Sequence, residues 1–226
     1  MEQHHYLGSL LHLADSTLPI GGYTHSAGLE TFVQQGIVKD ARSAGEFVRN
    51  MLQHNLQYND AAFMSLGYAA TEKRSIAELL EWHHCCTATK VPREIREASL
   101  KLGTRLARIF SRRHPSSFME TYEQEAGSPH YCIAFGVYAS LLSIPLPAAL
   151  QAFYYNAAAG MVTNSVKLVP LGQMEGQDLL FELQPLIQQL STATLQPDME
   201  KLGLCTGGFD IRCMQHERLY SRLYMS

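Results

Sequence analysis

Two short stretches hold the residues best placed to do chemistry. In Pro19-Ile20-Gly21-Gly22-Tyr23-Thr24-His25-Ser26 an imidazole and a hydroxyl stand side by side after a pair of glycines, and His83-His84-Cys85-Cys86 sets two imidazoles beside two thiols. The first could serve nucleophilic catalysis or cradle a phosphate; the second could hold a metal. A nucleophile elbow needs glycine two residues before its serine, and Thr24 stands there. A phosphate loop needs Lys-Ser or Lys-Thr after its glycines, and none follows Gly22. Four consecutive helical residues point roughly 100° apart and cannot converge on one ion. No second Cys or His pair follows Cys86 at structural-zinc spacing. The thiols are therefore expected as small core residues, and His4, His5 and His25 as isolated polar side chains. No catalytic residue, metal site or cofactor held by the chain alone is expected. The alternatives are a helical hydrolase that uses Ser26 or His25 through residues converging only in the fold, and a metal-binding chaperone, which needs a convergent His/Cys set.

The elements that carry these stretches read as helices throughout. Tyr6, Leu7, Leu10, Leu11 and Ala14 form one apolar stripe over 3–14. Pro19, Gly21 and Gly22 then make an ordered sharp turn, with both glycines able to take positive φ and Thr24 or Ser26 able to cap the helix that follows. Ser43 with Glu46, Ser75 with Glu78 and Ser117 with Glu120 have capping-box spacing, and Asp60 can start a further helix. Pro92 suits the first turn of a long helix reaching His114-Pro115, and Ser128-Pro129 opens another. Pro147 starts the longest apolar helix, which runs to about Val169 and is expected to be central or to lie in an oligomer interface. A last helix carries Leu179 to Leu190 with a kink near Pro185, 191–197 reads as a linker, and the basic, aromatic tail 206–226 has no strong period. Arg93 with Glu94 and Arg96 with Glu97 read as a solvated, mutually paired helix start. Lys167 complements a helix C-terminus. The fold class is all-α: one compact bundle of about ten helices in a single domain, 1–226.

Composition supports this. Of 226 residues, 46% are apolar, ample for a continuous core. Eighteen Lys and Arg against 21 Asp and Glu give a net charge of −3, so no broad basic footprint invites nucleic acid. No window nears the ~18 uninterrupted apolar residues of a membrane span. The start Met-Glu-Gln-His-His lacks a signal peptide's basic and apolar regions, and five cysteines suit reduced thiols. A cytoplasmic protein is expected.

Three motifs carry a resemblance. Leu18-Pro19-Ile20-Gly21-Gly22-Tyr23 with Ser26-Ala27-Gly28-Leu29-Glu30 is the first. Val166-Lys167-Leu168-Val169-Pro170-Leu171-Gly172-Gln173 with Gly176-Gln177 is the second, and His216-Glu217-Arg218-Leu219-Tyr220-Ser221-Arg222-Leu223 the third. Together, in this order across nearly the whole chain, they resemble the UreF family of urease accessory proteins. The resemblance implies a non-enzymatic, homodimeric scaffold for nickel insertion into apo-urease. It would bind UreD (also called UreH) and recruit the GTPase UreG on the opposite side, with nickel and GTP handled by the complex. It places Gly21, Gly22, Ser26, Glu30, Lys167 and Gln173 in or beside the GTPase-facing patch, with Glu30 and Lys167 making charged contacts. His216, Glu217, Tyr220, Ser221, Arg222 and Leu223 would face UreD, with help from the first helix. Arg218, Tyr220, Arg222 and Tyr224 are large amphipathic anchors on a tail able to order on binding. Met225 stands where the family's tail commonly carries arginine, so no charge is expected to matter there.

Overall fold

The computed structural model describes residues 5–225. Gln3 and His4 of the expected first helix, and Ser226, lie outside them. Eleven α-helices make up the described chain: α1 (Leu7–Leu13), α2 (Leu29–Gln34), α3 (Ala41–Asn50), α4 (Asp60–Glu72), α5 (Ile76–Thr89), α6 (Arg93–Ser111), α7 (Ser117–Ala126), α8 (Tyr131–Leu141), α9 (Leu146–Leu168), α10 (Gln173–Ala193) and α11 (Gly207–His216). A 3₁₀ turn covers Gly22–Thr24, and a π-helical segment, Met51–Leu56, continues α3. Among the described residues there is no strand, and no helix is long and apolar enough to cross a membrane.

The helix starts follow local capping chemistry. Ser75 caps α5 by accepting from the Glu78 N–H, as its spacing predicts. Elsewhere the caps fall short of the expected positions. Asp40, not Ser43, caps α3, with Ser43 reciprocating as the third residue of the box and Glu46 paired to Arg42 instead. Ser116 caps α7 by accepting from the Met119 N–H. Pro92 stands just before α6, and His130 just before α8. The expected linker is shorter than its reading, because α10 runs on to Ala193. Pro185 sits inside α10, which remains one helix; the carbonyl it leaves without an N–H belongs to Phe181, a residue 75% exposed.

Helix α8 is the hub. Every residue from Cys132 to Ala139 is buried, and α8 packs on α4, α6, α1 and α9. Glycine permits the approach: a Cβ on Gly136 would collide with the Met64 carbonyl of α4, and one on Gly103 of α6 with the Pro129 carbonyl. Long α9 forms a second pillar touching α1, α2, α3, α4, α8 and α10, yet keeps Tyr155 45% exposed. Two buried histidines inside the bundle are bonded. His83 Nδ1 meets the Tyr122 hydroxyl at 2.9 Å, and His130 bridges Ser99 (3.1 Å) and Thr87 (2.9 Å). The His83-to-Cys86 stretch diverges as helical geometry requires: His83 and Cys86 are buried, His84 is exposed, and Cys86 Sγ lies 3.8 Å from Cys132 Sγ.

Candidate functional site

The glycine turn is held from two helices, α6 and α9. Gly21 has φ +88°, and a Cβ there would strike the Arg105 guanidinium of α6, which donates to the Ile20 carbonyl at 2.8 Å. Gly22 has no neighbour within 4 Å of a built Cβ and lies outside the left-handed region, so one glycine of the pair, not both, carries the turn. Thr24 Oγ1 donates to the Gly21 carbonyl, and Asn164 of α9 donates to the His25 carbonyl at 2.9 Å. Ala27 (φ +51°) and Gly28 (φ +79°) then reverse the chain into α2, with left-handed Gly28 rather than Thr24 or Ser26 at the helix start. Ser26 is fully buried, and its hydroxyl oxygen takes the Glu30 N–H at 3.5 Å. A hydroxyl in that setting is not presented to a substrate. Burial, aided by Lys101 and Arg105, lowers the His25 imidazole below its ordinary value.

Glu30 is 5% exposed and faces the tail. Its Oε1 accepts from the Leu223 N–H (2.8 Å); its Oε2 accepts from the Tyr224 N–H (3.1 Å) and pairs with His216 Nε2 (3.2 Å). His216, fully buried, turns Nδ1 to Glu94 at 2.8 Å. It stands between two carboxylates, one at each ring nitrogen. Arg222 reaches Glu94 at 2.6 Å, Arg93 reaches Glu217 at 3.1 Å, and the Met225 N–H donates to the Thr24 carbonyl at 2.8 Å. The start of α6 is therefore not paired within itself: Arg93 and Glu94 hold the tail, and Arg96 bonds the Lys90 carbonyl. The tail is not a free arm either. Part of it is α11, and the rest lies back over the turn.

This geometry joins two groups of residues that the resemblance set on opposite sides. Glu30, His216, Glu217, Arg222 and Leu223 form one connected cluster beside Gly21, Gly22 and Ser26, with the charge of Glu30 spent inside it. Lys167 and Gln173 are exposed and outside the cluster. Ser221 meets Gln34 through its carbonyl at 3.5 Å. Around the cluster the surface is apolar and open: Tyr23 is 70% exposed, Leu223 71%, and Tyr220 fully so.

Below the turn a cleft of about 490 Å³ opens between α9, α6, the π-helical segment and the start of α11, with Lys167, Gly22 and Tyr23 at its walls. Asp60 and Lys90 pair within it at 2.7 Å. Burial alone would raise the Asp60 carboxyl, but the Lys90 ammonium holds it below the usual carboxylate range. Lys90 is held correspondingly high against its own burial. Among the described residues no cluster of three or more His, Cys, Asp or Glu is arranged to hold a metal. Reading the chain alone missed Glu94, Arg105, Lys90 and Asn164. Asn164, a polar residue inside an apolar helix, was the available signal; Lys90 and Arg105 offered none.

The family model for UreF matches residues 38–184. A urease accessory protein UreF from Actinobacillus pleuropneumoniae (serotype 3, strain JL03) is 48% identical over 97% of this chain and 99% of its own length. The chain belongs to the UreF family. Its relative from Haemophilus influenzae (strain Rd) is 47% identical over 97% of this chain and 95% of its own. One from Nostoc (strain PCC 7120) is 33% identical over 100% and 98%. These UreF relatives bear the name of an accessory protein, not of an enzyme. The hydrolase alternative falls with that, as the buried Ser26 already suggests.

Proposed function

We propose that this UreF-family chain is a non-catalytic scaffold in urease maturation. In this reading it bridges UreD and the GTPase UreG, as a homodimer in the cytoplasm, and helps couple the GTP state of UreG to nickel insertion into apo-urease. Nickel and GTP are cargo and fuel of the complex, and this chain holds neither on its own. The observation that supports the reading best is the Glu30 cluster, which welds the glycine turn and the tail into one rigid platform ringed by exposed Tyr23, Tyr220 and Leu223. Exposed aromatic and aliphatic anchors on a fixed frame are what a protein interface uses. A scaffold favours one nucleotide state of a GTPase only by contacting that state more strongly, and Lys167 and Gln173 stand exposed for such contacts.

Size-exclusion chromatography with light scattering tests this, using the full chain with cognate UreD and UreG. Wild type is expected to form a complex with both, and Tyr220→Ala with Leu223→Ala to lose UreD, because both side chains are exposed and the Leu223 N–H that donates to Glu30 is kept. If the wild-type chain stays apart from folded UreD and UreG, the scaffold reading is wrong.

A further inference from the structure

A second cleft, of about 330 Å³, lies on the other side of the π-helical segment, between α3 and α11. Its walls are apolar, with Phe32, Ile37, Phe47 and Phe209 among them, and one cation stands in it, Arg212. The guanidinium carbon sits 4.7 Å from the centre of the Phe32 ring, within cation–π range. Nη1 donates to the Gly208 carbonyl at 2.8 Å, while Nε is buried with no partner. Among the described residues Arg212 has no carboxylate within ion-pair reach; Glu46, the acid at the rim, is turned to Arg42. Arg222 and Arg93, by contrast, are paired with Glu94 and Glu217. An oriented, uncompensated guanidinium among aromatic walls complements a carboxylate carried on an apolar segment, since it binds carboxylates through paired N–H donors and the low surrounding polarity strengthens the bond. Asn50 at the end of α3 and His54 of the π-helical segment stand exposed at the rim as further donors, and π-helical segments recur at functional sites.

We propose that this cleft is a docking site for an acidic residue flanked by apolar ones on a partner chain of the urease assembly, with Arg212 taking the carboxylate and Phe209 and Ile37 the neighbouring side chains. The proposal deepens the scaffold reading and rests on it. It adds a contact separate from the Glu30 platform. The test uses overlapping peptides tiled over UreD, UreG and the urease subunits, each acidic peptide paired with its Glu→Gln or Asp→Asn form, titrated against the full-length chain. One or more peptides are expected to bind wild type at least tenfold more tightly than the amide forms, and to lose the same factor against Arg212→Gln. Arg212→Lys keeps the charge without the paired donors and should fall between, with circular dichroism showing both variants folded. Absence of any peptide that depends on both its acid and Arg212 overturns the proposal. So does decanoate binding with the same Arg212 dependence where no peptide shows it, which would assign the cleft to a free small acid. Failure here with an intact UreD and UreG complex refutes the cleft alone; loss of that complex refutes the scaffold reading as well.

Discussion

Glu30 accepts bonds from three tail groups, and its loss sets two costs against each other. Breaking a buried ionic contact costs about 3–5 kcal/mol when the partner stays buried. The tail can instead open to water, and the penalty is then capped by the free energy of that opening. Glu30→Ala is therefore expected to act locally. Amide exchange over residues 217–225 should accelerate at least tenfold while protection in α8 stays unchanged; a uniform loss across the bundle would contradict the local account. The glycines separate just as sharply. Gly21→Ala forces a side chain into positive φ, at about 1–2 kcal/mol, and onto Arg105, whereas Gly22→Ala should fall within about 0.5 kcal/mol of wild type in chemical denaturation. Residue types alone ranked the two glycines equally, because φ is a property of the closed turn. They gave no sign of Glu30's partners within the chain, which lie at 216, 223 and 224, beyond any local pattern.

Helix starts and apolar stripes were legible because they follow from a few adjacent residues. The cap shifts at α3 and α7 came from competition between neighbouring polar residues, Asp40 over Ser43 and Ser116 over Ser117, which spacing does not rank. The pairing of α4 with α8 was foreshadowed only by small residues, and Gly136 tests it: Gly136→Ala should lower stability by about 1–3 kcal/mol or more by overpacking against the Met64 carbonyl, read as a fall in Tm. The join of α5, α7 and α8 also makes the fold sensitive to acid. Burial pushes His83 down to about 4 and His130 to about 3, His130 being further opposed by Lys90. Both bind a proton more readily unfolded, so their stability is full above about 6.5 and is lost as pH falls from there toward 3. Each can remove up to about 1.4 kcal/mol per pH unit in that window. Asp60, whose carboxyl is also depressed, adds a further loss below its ordinary value of 3.8. Denaturation midpoints between pH 7.5 and 4.5 should therefore slope downward, and less steeply in His130→Gln; a flat profile would contradict the buried neutral histidines.

At the scale of the whole molecule, three motifs far apart in the chain carried the family resemblance, and the fold brings two of them to one place. That convergence was not legible from the residues, since nothing local tells a tail that returns to the body from one that stays free. The consequence for the assembly is concrete: the glycine turn and the tail present one joined face, and Lys167 stands exposed outside its cluster. Charge reversal at Lys167, exposed and outside the Glu30 cluster, should weaken UreG association at low salt, with a stability cost limited to its place at the C-terminus of α9, about 0.3–1 kcal/mol. An unchanged affinity would remove Lys167 from the interface.

The span of the Glu30 contacts also sets an order of events when the chain folds. His216 lies 186 residues from Glu30 and Tyr224 lies 194 away, whereas α8 (Tyr131–Leu141) meets α4 (Asp60–Glu72) and α6 (Arg93–Ser111) across much shorter stretches of chain. Contacts of such high separation form late, after loop closure has been met by the core. In refolding from denaturant, Trp82, the single tryptophan and packed against the core, should recover its emission before the tail regains protection. In that interval a finished bundle displays Glu30 and Glu94 as bare carboxylates, so a newly made chain differs in surface charge from a mature one, and a partner arriving early meets an acidic face that later disappears.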